Sequence, residues 1–326
     1  VTDVDRAVIS VHLDADAWQQ ARAEEAREGL SAEPPWLSPM WFYDEHGSDL
    51  FDQITRLPDY YQTRAERRLL EDHAHDLAAL GAEVLVELGS GTSDKTEVLL
   101  DAMVKDGSLH TYVPFDVSDA TMAQAIDRLG GRYPDLAFHG VVGDFNRHLG
   151  EIPDDPNRLV AFLGGTIGNL RPEERARFWS DLDGVLDHRD RLLVGIDLVK
   201  DPDQIVAAYD DPGGVTAEFN RNALRVLNND LGADFEVDAF EHVAHWNPDE
   251  SWIEMRLRAT EPQHVTIPAL DLTVHLDAGD DILTEVSAKF TPEAFAEELW
   301  AGGFVHEHTW TSDGDQFALV LARPCA

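Results

Sequence analysis

The chain has 326 residues, one large or two ordinary domains by length, and 43% of them are apolar, enough to bury a core of that size. Its 25 Lys and Arg face 63 Asp and Glu, a formal net charge of −38 that repels polyphosphates and anionic headgroups, argues against nucleic acid and membrane surfaces as partners, and predicts a monomer. No run approaches the ~18 apolar residues of a membrane span, and acids occupy VTDVDRAVISVHLDADA where a signal peptide needs an apolar stretch, so the expected location is cytoplasmic.

Residues 17–30 have helical composition up to Gly29, and 31–62 crowd prolines and aromatics into a stretch that reads as irregular, though too apolar for a linker. Thr63-Arg64-Ala65-Glu66 has the capping-box pattern and predicts a helix from there to Gly81. Five short apolar runs follow, at 83–88, 109–117, 136–144, 158–165 and 191–199. Helices are predicted between them at 94–105, 119–130 and 172–187, the last entered through Pro172. Such alternation predicts a parallel sheet covered by helices on both faces.

Beyond Asp201-Pro202 a helical stretch, VTAEFNRNALRVLNND, gives way to strand-like runs FEVDAFEHVAHW, SWIEMRLRAT, QHVTIPAL and ILTEVSAKF. A helix at 292–302 and the strands VHEHTWT and QFALVLARP close the chain as an antiparallel hairpin on the sheet's edge. The expected fold class is α/β: a Rossmann-like, mostly parallel sheet with an antiparallel C-terminal edge, plus a second, α+β domain. The expected domains are 63–198 with 290–326, and 12–62 with 199–289. Cys325 is the one cysteine, which leaves no internal disulfide and no Cys-rich zinc site. Only four basic residues are lysines, Lys95, Lys105, Lys200 and Lys289, so a lysine beside a glycine motif is informative.

That motif is Val86-Glu87-Leu88-Gly89-Ser90-Gly91-Thr92-Ser93-Asp94-Lys95, which leaves the first apolar run and enters a helix. Glycines there let backbone approach a ligand closely. A dinucleotide fingerprint needs glycine at 94, where Asp94 stands, so a pyrophosphate is disfavoured. An acid just ahead of the turn suits a cation-bearing cofactor, and S-adenosylmethionine carries a sulfonium and an ammonium.

The E-x-G-x-G pattern resembles motif I of the class I S-adenosylmethionine-dependent methyltransferases. On that resemblance Asp116 accepts the ribose hydroxyls, Asp144 and Phe145 hold the adenine, and Gly164-Gly165-Thr166 lets the methionine portion pass close to backbone. The segments WFYDEHGSDLFDQITRLPDYY, VELGSGTSDKT, FLGGTIGNL, DLVKD, AYDD, FNRN, HVAHWN, IEMRLRA and LTEVSAKF together resemble the bacterial histidine Nα-methyltransferases of ergothioneine biosynthesis. The resemblance runs from about residue 17 to the end. Gly165, at a small-residue position, and the acidic surface depart from the pattern; the first dozen residues lie outside it and are expected to be disordered.

The resemblance implies that S-adenosylmethionine trimethylates the α-amine of free L-histidine to hercynine, with the first domain binding the donor and the second the amino acid. Asn169 and Tyr209 would hold the substrate carboxylate; Glu285, Ser287 and Tyr60 would read the imidazole. Tyr43 would lie near the amine, and Phe51, Thr166 and Met255 would shape the pocket. Glu87, Gly89, Ser90, Gly91, Lys95, Asp116, Asp144, Phe145 and Gly164 would bind the donor. Read without the resemblance, Tyr60 and Phe51 are packing residues, Tyr209 a helix-surface residue, Glu285 an exposed strand acid and Lys95 a solvated first-turn residue.

Rival readings are an NAD-dependent dehydrogenase, a non-catalytic sensor of amino acid or S-adenosylmethionine, and a methyltransferase acting on another aromatic amino acid. No metal is expected. Of the histidine pairs 73/75, 242/245 and 306/308, only the last is spaced to put both rings on one strand face, and no third ligand is evident.

Overall fold

The computed structural model describes residues 6–13, 15–93 and 95–325. Strand β1 (Ala7–Val11) and helices α1 (Ala15–Leu30), α2 (Glu45–Thr55) and α3 (Gln62–Ala78) come first. The alternating part runs β2 (Val84–Leu88), α4 (Glu97–Asp106), β3 (Thr111–Asp116), α5 (Asp119–Arg132), β4 (Ala137–Val142), β5 (Arg158–Phe162), α6 (Pro172–Asp183) and β6 (Arg191–Asp197). Then follow α7 (Pro202–Tyr209), α8 (Val215–Leu231), β7 (Phe240–Asn247), β8 (Trp252–Ala259), β9 (Gln263–Ile267), β10 (Leu272–Leu276) and β11 (Asp281–Ala288). Helix α9 (Pro292–Ala301) and strands β12 (Phe304–Thr311) and β13 (Phe317–Pro324) end the chain. No described helix is long and apolar enough to cross a membrane.

Two compact units result: Val1–Asp14 with Arg64–Leu198 and Phe290–Ala326, and Ala15–Thr63 with Val199–Lys289. The first is built on an eight-stranded sheet of order β1-β4-β3-β2-β5-β6-β13-β12. Strands β1 to β6 are parallel to their neighbours, whereas β13 and β12 run antiparallel. Every residue of β2 and β5 is buried, as strands covered on both faces require. Strand β3 lies on one side of β2 and β5 on the other, so the chain's progress across the sheet reverses there. A ligand crevice in such sheets opens at the carboxyl ends of those strands.

Three sequence expectations need correction. Residues 7–11, read as disordered, form edge strand β1 paired with β4; the run AVISV is mostly apolar and β-branched, as a strand favours, although Val8 and Val11 stay 49% and 59% exposed. Residues 31–62 are not wholly irregular, because α2 forms where the Asp44 carboxylate accepts the Gly47 N–H at 2.7 Å and caps the helix. Strand β12 carries a bulge between His306 and His308, which breaks the alternation that would have set both rings on one face. The glycine-motif residue Asp94, on which the argument against a dinucleotide turned, lies outside the described residues.

The second unit pairs a three-stranded sheet, β11-β8-β7, with the β9–β10 hairpin. Trp41, Phe42, Leu50 and Ile54 from its first segment and Phe219, Leu224, Ile253 and Leu257 from its second share one core. The Asn222 amide ties the two segments, donating to the Phe42 carbonyl at 3.0 Å and to Asp44 at 2.8 Å.

Candidate active site

In the first unit the glycine turn leaves β2 with Gly89 at φ 66° and Gly91 at φ 49°, a region that favours glycine. A side chain added at either would meet nothing within 4 Å, so the turn keeps an open face against which a ligand can lie. The Gly91 N–H donates to Asp116 at 2.8 Å and the Ser118 N–H to the other oxygen at 3.0 Å. A carboxylate has about four acceptor directions, so Asp116 can still accept from a diol; burial raises its pKa. Ser90 Oγ is buried with no partner among the described residues, an unsatisfied polar atom in the same turn.

Glu87 does not face that open side. It is 4% exposed, and its carboxylate accepts from the hydroxyls of Thr96 and Tyr112. Burial raises its pKa to about 7 against those two bonds. It therefore braces the turn from behind, a correction to its expected place as a cofactor ligand. Asp144, after β4, accepts the Asn146 N–H at 2.9 Å. The neighbouring Phe145 packs edge-on against Phe162, with centroids 5.3 Å apart, leaving a half-buried ring at the end of the sheet.

Lys95 donates to Glu66 at 2.5 Å, and the other Glu66 oxygen accepts the Gly164 N–H at 2.6 Å. Glu66 is 0% exposed. The capping box is thus corrected: α3 begins at Gln62, one residue before the expected cap, and Glu66 joins the glycine-turn segment to the loop after β5 instead of closing a helix end. Sequence reasoning missed this role although a signal was present, since Glu66 falls in the 66-69-70-77 stripe with Leu69, Leu70 and Leu77, all buried. After β5, Gly164 and Gly165 adopt φ 84° and 69°. Thr166 donates to the Leu163 carbonyl at 3.1 Å, and half-buried Asn169 ends the 3₁₀ turn Thr166–Asn169.

In the second unit, aromatic rings form a continuous string. Tyr43 packs on Phe51 (5.9 Å) and Phe219 (5.6 Å), Phe51 on Tyr60 (6.3 Å), and Tyr60 on Tyr209 (6.3 Å). Tyr43 is 49% exposed while Tyr209 is 7% exposed, so the string runs from surface to interior. Tyr209 donates its hydroxyl to Ser287 at 3.0 Å. His242 holds the end of α7 by donating from Nε2 to the Tyr209 carbonyl at 2.8 Å and accepting from the Asn220 amide at Nδ1. Burial lowers the His242 pKa, which keeps the ring neutral with its proton on Nε2. Phe219, Asn220 and His242 were not foreseen as site residues.

Glu285 pairs across the ladder with Met255, whose side chain is 2% exposed. No hydrogen bond from a described residue reaches the Glu285 carboxylate; burial raises its pKa to about 7, opposed by the charge of Lys289. The folded-state value lies above the ordinary 4.5, so between about 4.5 and about 7 the folded protein binds more protons than the unfolded chain and loses stability as pH rises. Glu285→Gln removes that penalty. Its stability relative to the native protein should be ~1–2 kcal/mol greater at pH 8 than at pH 5, after allowance for solvent screening of a half-buried group, as read from urea unfolding at both pH values.

A reversed parallel sheet with a glycine turn after its central strand and a half-engaged Asp after the next is the architecture of the class I S-adenosylmethionine-dependent methyltransferases. The open turn, half-engaged Asp116, unpartnered Ser90 and the Phe145 ring fit that donor. The profile of the family described as "Histidine-specific methyltransferase, SAM-dependent" matches residues 22–324. The chain is 53% identical to a Histidine N-alpha-methyltransferase of Mycolicibacterium smegmatis, over 95% of this chain and 97% of that one. It is 51% identical to the Histidine N-alpha-methyltransferase of Mycobacterium tuberculosis, over 97% and 99%. Ergothioneine biosynthesis protein 1 of Neurospora crassa is 27% identical, over 98% of this chain and 36% of that one. The chain belongs to the histidine-specific S-adenosylmethionine-dependent methyltransferases.

Proposed function

We propose that this chain methylates the α-amine of free L-histidine three times with S-adenosylmethionine, giving hercynine, the first step of ergothioneine biosynthesis. Beyond family membership, the observation that carries the reading is Glu285: a carboxylate under a burial penalty, with no donor of its own, beside the hydroxyl of Ser287. An imidazole supplies the N–H that such an acid lacks. The unit of 64–198 and 290–326 binds the donor, and the unit of 15–63 and 199–289 binds the amino acid.

In residue terms, Gly89, Ser90, Gly91, Lys95, Asp116, Asp144, Phe145 and Gly164 hold the donor. Glu285, Ser287 and Tyr60 read the imidazole, and Asn169 and Tyr209 offer donors to the carboxylate. Tyr43 attends the amine, while Phe51, Thr166 and Met255 limit the pocket. We further propose a cytoplasmic monomer, since a net charge of −38 opposes self-association.

When bound, S-adenosylmethionine supplies an electrophilic methyl on a positively charged sulfur. The residues' task is positioning: the amine nitrogen must stand in line with the methyl carbon and sulfur, and such alignment is worth effective molarities up to ~10⁵–10⁸ M. Peptide α-amines have pKa ~8 and that of a free amino acid lies somewhat higher, so a minor neutral fraction is present at working pH; proton loss to water suffices and no side chain need act as a strong base. The aromatic faces of Tyr43 and Phe51 tolerate the growing cation by cation–π contact, ~0.5–2 kcal/mol each.

Incubating the purified protein with S-adenosylmethionine and an equimolar pool of the twenty amino acids, followed by mass spectrometry, tests the reading. Three methyl groups on histidine alone are expected. Methylation of another amino acid refutes the imidazole pocket, and donor binding without any methylation returns the weight to a sensor.

A further inference from the structure

Strand β11 does not run in simple alternation. Its register against β8 sets Asp281 with Arg258, Ile282 with Leu257 and Leu283 with Arg256, then Glu285 with Met255, Val286 with Glu254 and Ser287 with Ile253. Thr284 is the extra residue of a β-bulge, left out of the pairing. The two faces of this sheet differ. On one, Asp281 pairs with Arg258 at 2.7 Å and with Arg256 at 3.2 Å, and Arg256 pairs in turn with Glu254. On the other, Ile253, Met255, Leu257 and Ile282 belong to the buried core.

Side chains alternate along a strand, and a slip of one residue sends those that follow to the opposite face. Continued without the bulge, the ladder would set Thr284 against Met255 and Glu285 against Glu254, one acid opposite another on the ion-paired face. The extra residue prevents this, and Glu285 and Ser287 instead share the face of Met255 and Ile253.

Thr284 is fully buried, and its hydroxyl lies 2.6 Å from Asn220 Oδ1 and 2.9 Å from the Met255 carbonyl oxygen. The Asn220 amide, fully buried on α8, is oriented by its other end, where Nδ2 donates to the Arg256 carbonyl at 3.0 Å and the carbonyl can only accept. Both neighbours of the Thr284 hydroxyl are therefore acceptors, and its one proton is held between them. Leu283, just ahead of the bulge, is gripped from the other side: its N–H donates to the Pro35 carbonyl at 3.0 Å and its carbonyl accepts the Leu37 N–H at 2.8 Å.

We propose that Thr284 is a positioning residue: with its hydroxyl seated between Asn220 and the Met255 carbonyl it holds the bulge, and the bulge aims Glu285 and Ser287 away from the ion-paired face. The inference rests on the reading that these two side chains meet the substrate imidazole. Valine keeps the shape of threonine without the hydroxyl, so Thr284→Val frees the bulge from Asn220 with little change of volume.

The test is a double-mutant cycle on the full-length enzyme, read as kcat/KM for L-histidine alongside affinity for S-adenosylhomocysteine. Thr284→Val should lower kcat/KM about thirtyfold and leave S-adenosylhomocysteine within about twofold, since misplacing a contact by about 1 Å costs up to about 10²-fold. Glu285→Ala should cost about 10²-fold in the native enzyme but about fivefold or less in the Thr284→Val background, where the carboxylate is no longer aimed. Thr284→Ser keeps the hydroxyl and should stay within about threefold of the native enzyme.

Unchanged kcat/KM in Thr284→Val, or a Glu285→Ala cost that is the same in both backgrounds, overturns the proposal; a merely structural Thr284 would leave that cost intact. A Thr284→Ser enzyme as impaired as Thr284→Val overturns it too. If Thr284→Val does not fold, Thr284→Ala removes the same hydroxyl and takes its place in the cycle with the same expectations. Glu285→Ala without effect in the native enzyme refutes the imidazole reading and Thr284's part with it, whereas a full cost that persists without the Thr284 hydroxyl refutes Thr284 alone.

Discussion

Replacing Glu285 by alanine should lower kcat/KM for L-histidine about 10²-fold while leaving affinity for S-adenosylmethionine within about twofold. The carboxylate and α-amine are common to every amino acid, so selectivity must come from groups that meet the side chain. Glu285 is the acid of the second unit that burial drives up to about 7 with no hydrogen bond to offset it. Such a group is held ready for a ligand at the expense of the protein's own stability, as the pH-dependent gain expected of Glu285→Gln would show. A hydrogen bond to a charged partner contributes about 1.5–3 kcal/mol, which sets the expected loss. Steady-state kinetics with histidine and phenylalanine, together with donor titration, decides the matter. Equal losses for both amino acids, or a parallel loss of donor binding, would mean that Glu285 supports the fold and does not read the imidazole.

The parallel sheet was legible because its strands announce themselves: β2 and β5 are short apolar runs buried throughout, spaced by helix-length segments. Strand β1 was missed although its run suits a strand, because it lies outside the motif resemblance; its pairing to β4 is made by backbone while its side chains stay in water. Helix α2 was masked by the prolines and aromatics before it; the signals that specify it are the cap at Asp44 and the buried 47-50-54 stripe. The same contrast holds in the sites. The glycine turn is local, and its spacing carries its meaning. Glu66 matched a local capping pattern, but its partners lie 29 and 98 residues away, so the helical-stripe reading was the better guide. Lys289 sits at readable spacing from Glu285 and Ser287, yet its contact with Tyr209 spans 80 residues of sequence. Motif resemblance names the residues proposed to meet ligand and says nothing of Glu66, whose partners only the fold brings together.

Glu66 is where that omission has the largest expected effect. Its carboxylate is fully buried and divides its two oxygens between Lys95, from the glycine-turn segment, and the Gly164 N–H, from the loop after β5. It thus fixes the relative position of two segments proposed to hold the donor. There is no slack around it: a Cβ on Gly195 would stand 2.1 Å from the Glu66 carboxylate, which is why β6 carries glycine at that point. Removing the Glu66 carboxylate leaves the Gly164 N–H without its acceptor and frees Lys95, whose side chain is 29% exposed, to turn to water, at a cost of about 1–3 kcal/mol. Glu66→Ala should accordingly lose stability of that order in urea unfolding and bind S-adenosylhomocysteine at least about tenfold more weakly. Glu66→Gln, which keeps an acceptor for the Gly164 N–H but not the charge opposite Lys95, should fall between the two. Glu66→Met combined with Lys95→Met, which leaves neither charge, should recover most of the stability but not the donor affinity. Recovery of both by the double substitution would make the pair a packing element with no part in holding the donor.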